Sequence, residues 1–77
     1  MLPSMLQPLF WDVPFETIHA ELHKRYVVAR ILELGGEAAV KWAENHYSLD
    51  DLRSVVETSR SLSSKSRNYW RIRYHLG

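Results

Sequence analysis

The residues best suited to bind another molecule lie in the last twenty positions of this 77-residue chain. That segment contains five basic side chains and no acidic one: Arg60, Lys65, Arg67, Arg71 and Arg73. Residues 1–57 carry five basic and nine acidic residues, a net charge of −4, so the positive charge is concentrated at one end. A basic end of this kind is a candidate contact surface for an anion, either a nucleic acid or an acidic protein face.

The residue types in this basic segment match those that read DNA. Arginine and lysine suit guanine edges, and asparagine suits adenine. The first turns of the second helix of a helix-turn-helix would present such residues to the major groove. The alternative is a helical hairpin with a solvated outer face, and the connecting segment lacks the glycine that such turns often contain. The candidate nucleic-acid contacts are Arg60, Lys65, Arg67, Asn68 and Arg71.

Aromatic residues form two clusters that are candidates for protein contacts. Trp70 and Tyr74 are interleaved with arginines near the C-terminus, and Phe10 and Trp11 are adjacent. Exposed rings of this kind would form an interaction patch or a stacking platform, whereas buried rings would belong to the hydrophobic core. We predict that Tyr69, Phe10 and Trp11 contribute to the core. The candidate partner-binding residues are Trp70, Tyr74, Phe10 and Trp11.

Catalytic and metal-binding residues do not follow a recognisable pattern. The chain has no cysteine, and it contains no glycine-rich phosphate loop and no nucleophile with histidine and acid in a known order. His19 and His23 are four residues apart and could face one metal ion, but no third ligand is evident in the sequence. We therefore predict a protein that is not an enzyme and that uses no metal and no cofactor.

Four main helices are predicted to position these side chains. The first helix is predicted over residues 19–34, because apolar side chains recur there in steps of three and four on one buried face: Leu22, Tyr26, Ala29, Ile31 and Leu34. Gly35-Gly36 would end this helix in a left-handed conformation. The same spacing near the C-terminus places Tyr69, Ile72 and Leu76 on the buried face of the last helix. The other predicted segments are a short helical turn at 14–18 and helices over 37–46, over 49–58 with Ser48 as N-cap, and over 64–76 with Ser63 as N-cap.

The predicted architecture is all-α, with one small four-helix domain over residues 9–77 whose last two helices are helix-turn-helix-like. Residues 1–8 contain Pro3 and Pro8 and no helical pattern, so they are predicted to form an extended N-terminal arm. No apolar run approaches the roughly 20 residues needed to span a bilayer. The first ten residues also lack the basic start of a signal peptide, so we expect a cytoplasmic protein that does not enter membranes.

Three segments of the chain resemble a family of small bacterial and archaeal proteins of unknown function. Members of that family begin with a Leu-Phe-Trp-Asp element, contain a helix that ends in Glu-x-Gly, and finish with Lys-x-x-Asn-x-Trp. The matching segments are LFWDV at 9–13, RYVVARILELG at 25–35 and SRSLSSKSRNYW at 59–70. The resemblance covers residues 9–76 and excludes the N-terminal arm.

This resemblance implies a function based on a protein partner. Members of the family are often encoded beside nucleotidyltransferase-type toxins. The resemblance therefore implies an antitoxin-like protein that binds and restrains a toxin encoded by an adjacent gene. The alternative is a DNA-binding regulator that uses the basic last helix, and a homodimer would suit that function because operator binders of this size are usually dimers.

Overall fold

Six helical segments follow one another along residues 2–76, which are the residues that the computed structural model of the protein describes. They are the 3-10 helices Ser4–Phe10 and Phe15–Thr17, followed by α1 Lys24–Leu34, α2 Glu37–His46, α3 Leu49–Thr58 and α4 Ser64–Arg73. No strand occurs among these residues, so the predicted all-α class is confirmed. The predicted limits of the second and third helices agree with α2 and α3.

α1 lies at the centre of the hydrophobic core. Its residues Val27, Val28 and Ile31 are completely buried. The helix contacts α2, α3, α4 and the first 3-10 helix, so apolar side chains are needed on more than one of its faces. This explains why its apolar stripe is wider than that of a surface helix.

The predicted extended arm is wrong, because residues 4–10 form a 3-10 helix that packs against the core. Leu2 is 3% exposed, and Leu6 is completely buried. Pro3 precedes the helix and Pro8 lies within it, and neither prevents a 3-10 turn from forming. A chain of this length has few apolar residues, and burying these two leucines enlarges a core that would otherwise be marginal.

The first α-helix begins five residues later than predicted. The backbone N–H of His19 donates to Nδ1 of His23 at 2.9 Å, and residues 19–23 form turns before α1 begins at Lys24. Tyr47 fixes this turn by donating its hydroxyl hydrogen to the carbonyl of Ala20 at 2.8 Å. Leu22 was assigned to the buried stripe, but it is 78% exposed because the turn carries it away from the core.

Local capping determines where the middle helices begin and end. The Ser48 hydroxyl accepts from the N–H of Asp51 at 3.1 Å, which confirms the predicted N-cap, and the Asp51 carboxylate accepts from the N–H of Ser48, which completes a capping box. Gly35 follows α1, but its φ of −77° is not left-handed as predicted. A Cβ at Gly35 would lie 2.6 Å from the carbonyl oxygen of Ile31, so the close approach of the backbone requires glycine there.

α4 buries a different face from the one predicted. Trp70 and Tyr74 are each 6% exposed, whereas Tyr69 and Ile72 are 55% and 76% exposed. The predicted face is wrong because α4 is oriented by hydrogen bonds from the rings of Trp70 and Tyr74 to other helices. The spacing of apolar residues along the sequence does not reveal such bonds. The Trp70 indole N–H donates to the carbonyl of Leu32 at 2.8 Å.

α4 also ends three residues earlier than predicted, at Arg73. The N–H of Leu76 donates to the carbonyl of Arg71 at 2.7 Å, and the N–H of His75 donates to the carbonyl of Ile72 at 3.2 Å. His75 adopts a φ of 59° between these two bonds. This pair of bonds is the Schellman arrangement that closes a helix, with histidine at the left-handed position that glycine usually occupies.

None of the helices formed by residues 2–76 is long and apolar enough to cross a membrane.

Substitution of the buried leucine in the first 3-10 helix tests its contribution to the core. We expect Leu6→Ala to lower the free energy of unfolding by about 2–5 kcal/mol, because it leaves a cavity at a fully buried position. Met5→Ala is the matched control, since the adjacent Met5 is 49% exposed and should change stability by less than about 0.5 kcal/mol. Urea denaturation of both variants measures the difference, and equal stabilities would contradict a packed N-terminal helix.

Candidate interaction surfaces

Arg67, one of the five candidate nucleic-acid contacts, is a structural residue. Its guanidinium donates to the carbonyl oxygens of Val56 and Ser59, at the C-terminal end of α3. Cationic donors near a helix C-terminus satisfy its last carbonyls and oppose its partial negative charge. Arg67 therefore joins α4 to α3, and its guanidinium is already engaged within the fold.

The other four candidate nucleic-acid contacts lie at the surface. Arg60 lies in the connection 59–63, and Lys65, Asn68 and Arg71 lie on α4, all with exposed side chains. Lys65 and Asn68 are three residues apart and share one side of α4 in its first two turns. The Ser63 hydroxyl accepts from the N–H of Ser66 at 3.2 Å, which confirms the predicted N-cap and fixes where this helix begins.

Three of the four candidate partner-binding residues belong to the core. Phe10 is 1% exposed, and Trp70 and Tyr74 are almost as deeply buried. The Tyr74 hydroxyl donates to the Glu44 carboxylate at 2.9 Å, and burial together with this carboxylate raises the pKa of Tyr74. These three residues hold the helices together. Trp11 differs from them, because it is 71% exposed. The prediction that Trp11 contributes to the core is therefore wrong.

Trp11 lies at the edge of a shallow groove, which we call the Trp11 groove, between the N-terminal segment and α1. The groove has a volume of about 280 Å³. Leu34, which is 48% exposed, and Ala29, which is buried, supply further apolar side chains to the lining. The complete lining consists of Trp11, Asp12, Tyr26, Ala29, Arg30, Glu33, Leu34 and Ser61.

Arg30 fixes the geometry of this groove through hydrogen bonds. Its Nη1 donates to the carbonyl of Leu9 at 3.0 Å and to Oδ1 of Asp12 at 2.9 Å. Its Nη2 donates to Oδ2 of Asp12 at 3.3 Å and to the Tyr26 hydroxyl at 2.8 Å. The guanidinium therefore binds the Asp12 carboxylate in bidentate fashion, a geometry that arginine provides and lysine does not.

The Arg30 guanidinium also contacts three aromatic rings. Its Cζ lies 5.5 Å from the ring centroid of Phe10, 5.3 Å from that of Trp11 and 5.2 Å from that of Tyr26. Each distance is within the range of a cation–π interaction. The exposed indole of Trp11 is therefore held against a charged group that is itself fixed by Asp12.

Both acidic side chains of the Trp11 groove are ionised at neutral pH. Hydrogen bonding from Arg30 lowers the pKa of Asp12 below its ordinary value. The backbone N–H of Ser63 donates to Oε1 of Glu33 at 3.0 Å, and this bond lowers the pKa of the Glu33 carboxyl. Since Arg30 is the only basic residue of the lining, the groove carries a net negative charge.

A second groove of about 550 Å³ separates α2 from α4. Two of its charged side chains form a pair, since Nη2 of Arg73 lies 3.6 Å from the Glu44 carboxylate. The Arg73 guanidinium also lies 5.4 Å from the ring centroid of Trp70. The lining is Gly35, Gly36, Glu37, Val40, Lys41, Glu44, Tyr69, Trp70 and Arg73.

His19 and His23 are joined to each other by a hydrogen bond within the fold. Nδ1 of His23 accepts from the backbone of His19, as described above, so this nitrogen is already bound. No group of three or more histidine, cysteine, aspartate or glutamate side chains within residues 2–76 is arranged to hold a metal ion.

Trp11 is the one residue of the groove lining that was a candidate from the sequence, and the residues not predicted include Tyr26, Arg30 and Leu34. These three follow one another at four-residue intervals on α1 and therefore form one exposed stripe. Tyr26 and Leu34 were assigned to the buried face because they are apolar. The charged residue between them, Arg30, was the signal that this stripe faces solvent.

The fold and these surfaces define a small all-helical domain with an exposed aromatic groove. The chain belongs to a family of unknown function, DUF6922, whose model matches residues 5–56. The matched range contains the Leu-Phe-Trp-Asp element and α1, and hence every residue of the Trp11 groove except Ser61. No curated protein and no solved structure matches the chain.

Acid titration tests the contact between Asp12 and Arg30. The indole N–H resonance of Trp11 should shift with a midpoint below the ordinary pKa of aspartate, because Arg30 favours the ionised carboxyl of Asp12. Since this pKa is lowered in the folded state, the pair stabilises the fold at neutral pH and loses that contribution as the pH falls through the lowered pKa.

The control for this titration is Arg30→Lys, which keeps the positive charge but loses the bidentate geometry. Its midpoint should return towards the ordinary value. An unchanged midpoint in this variant, measured by NMR, would contradict the assigned role of the guanidinium.

Proposed function

We propose that this protein is an antitoxin-like interaction module that acts in the cytoplasm, not as an enzyme, and binds and restrains a toxin encoded by an adjacent gene. The observation that carries the proposal is the exposed indole of Trp11, held on the Arg30 guanidinium. Tyr26 and Leu34 extend this surface.

The composition of the Trp11 groove supports protein binding. Tryptophan, tyrosine and arginine are the residue types most enriched among those that dominate binding energy at interfaces. Trp11, Tyr26 and Arg30 occur together here, and Arg30 contacts both rings. Because these side chains are already ordered, little conformational entropy is lost when a partner binds.

The motif that carries the family resemblance also supports this function. Within Leu-Phe-Trp-Asp, Phe10 packs in the core, Asp12 binds Arg30, and the Leu9 carbonyl accepts from the same arginine. These three contacts leave Trp11 facing solvent. The motif thus forms the surface that we assign to the toxin.

Co-expression with the toxin encoded by the adjacent gene tests this proposal. The tagged protein should purify in a stoichiometric complex with the toxin, and Trp11→Ala should weaken binding by about 2 kcal/mol or more, roughly 30-fold. Leu22→Ala is the matched control, because Leu22 is equally exposed but does not line the groove.

Calorimetry on the purified complex measures the two affinities, and circular dichroism verifies that both variants are folded. Absence of a complex would contradict the proposed function. A complex weakened equally by both substitutions would contradict the assignment to the Trp11 groove.

A second candidate function is sequence-specific DNA binding by α4, as a dimer. It is favoured by the exposure of Lys65 and Asn68 in the first turns of a helix that follows another after five residues. Arg60 and Arg71 are exposed on the same basic segment. Lysine would contact phosphate or guanine, and asparagine would read adenine.

The salt dependence of DNA affinity tests this second function. Lys65→Ala should reduce the slope of log affinity against log salt by about 0.9 if Lys65 neutralises one phosphate. Asn68→Ala should relax base preference at one position by about 1–3 kcal/mol. Lys41→Ala is the control, because Lys41 is an exposed basic residue on α2. Fluorescence anisotropy with promoter DNA measures these effects, and affinity that is independent of salt would exclude DNA binding by α4.

A further inference from the structure

We infer that the Trp11 groove recognises a basic amphipathic segment of the partner protein, in which an arginine or lysine lies beside an aliphatic side chain. This inference rests on the proposed function, because it states which chemistry of the toxin the groove would accept. It follows from the combination of an apolar surface with carboxylates whose charge is not fully neutralised.

The apolar part of the groove suits an aliphatic side chain. Trp11 and Leu34 are 71% and 48% exposed, and both line the groove together with the buried Ala29. A partner side chain placed there would remove apolar surface from water on both sides, which is the main favourable term in association.

The polar part of the groove offers acceptors in place of cationic donors. Arg30 is the only basic residue of the lining, and its two terminal nitrogens already bind Leu9, Asp12 and Tyr26. A carboxylate of the toxin would therefore meet no unpaired basic side chain in the lining. It would also be repelled by the acidic side chains of the groove.

Two carboxylates remain able to accept further hydrogen bonds. The Asp12 side chain is 47% exposed although it binds Arg30, and a carboxylate has about four lone-pair sites. The Glu33 carboxylate accepts from the backbone N–H of Ser63 and from the hydroxyls of Ser63 and Ser66, which leaves about one of its four lone-pair sites. A guanidinium or ammonium group on the partner would satisfy these sites and compensate the net negative charge of the lining.

Trp11 provides a second reason to expect a cation. The Arg30 guanidinium contacts the indole at one side, and 71% of the side chain remains open to solvent. An indole is the most favourable ring for a cation–π interaction, so a partner arginine can stack on the open part of Trp11 while its donors reach a carboxylate.

A second copy of this chain is the competing occupant. Its segment 58–76 is basic, and α4 exposes Tyr69 and Ile72 on its outer face. We favour the toxin because Arg67 and Arg73 of that basic segment are already engaged within their own domain, by the carbonyls at the end of α3 and by Glu44. Self-association is therefore one of the outcomes that the experiment distinguishes.

Two synthetic helical peptides test the inference directly. Both carry the same leucine spacing, and one has arginine and lysine at the positions where the other has glutamate. The chain has three tryptophans, so its NMR spectrum contains three indole N–H resonances, and Trp11→Phe identifies that of Trp11. The basic peptide should shift this resonance and bind at least tenfold more tightly than the acidic peptide.

Glu33→Gln tests the carboxylate, because it removes the charge and keeps an oxygen that can accept from Ser63. This substitution should lower the affinity for the basic peptide several-fold. Glu37 is an exposed acid outside the groove, so Glu37→Gln should leave that affinity unchanged. Equal binding of the two peptides, preference for the acidic peptide, or no shift of the Trp11 resonance would overturn the inference. A concentration-dependent shift without peptide, lost in Ile72→Glu, would assign the groove to a second copy instead.

The toxin complex separates this inference from the proposed function. If Trp11→Ala disrupts the complex but Glu33→Gln and 0.5 M salt (a screening length on the order of 4 Å) do not weaken it, the basic segment is excluded and the proposed function stands. If Trp11→Ala leaves the complex intact while the basic peptide still shifts Trp11, the proposed function fails and the charge preference of the groove remains.

Discussion

The structure depends on a single constraint: α1 must be covered on several sides by a chain with few apolar residues. Val27, Val28 and Ile31 are fully buried because α2, α3, α4 and the first 3-10 helix all contact this helix. The N-terminal leucines are therefore part of the core and not an arm. A short chain buries a smaller fraction of its surface on folding than a long one. Packing the other helices around one central helix lets this chain bury most of its apolar side chains through contacts between neighbouring segments.

Arg30 links that constraint to the surface of the molecule. It lies on the outer side of α1, where the N-terminal segment passes over the helix, and it binds both the backbone and the Asp12 carboxylate of that segment. The contact that holds the N-terminal segment in place thus also holds Trp11 outward. Stability and recognition share one interaction here, since a side chain that is fixed before binding loses little entropy when a partner arrives.

On α4, by contrast with Trp11, hydrogen bonds hold two aromatic rings inside the fold. The buried face of α4 is held by polar atoms of these rings, with the Trp70 indole bound to the Leu32 carbonyl and the Tyr74 hydroxyl bound to Glu44. Arg67 is occupied by carbonyls at the end of α3. These contacts turn Tyr69 and Ile72 to solvent, so the positive charge of the segment surrounds apolar side chains.

The sequence by itself determined the helical class, the limits of α2 and α3, and the caps at Ser48 and Ser63. Those features depend on contacts within a few residues, such as the capping box between Ser48 and Asp51. It also identified Trp11 as a candidate contact and the basic character of the C-terminal segment. Only the tertiary structure decided which aromatic residues are exposed, where α1 begins, and that Arg67 is structural. Those outcomes depend on partners distant in sequence, as when Arg30 meets Asp12 or Trp70 meets Leu32, and helical spacing contains no information about such pairs.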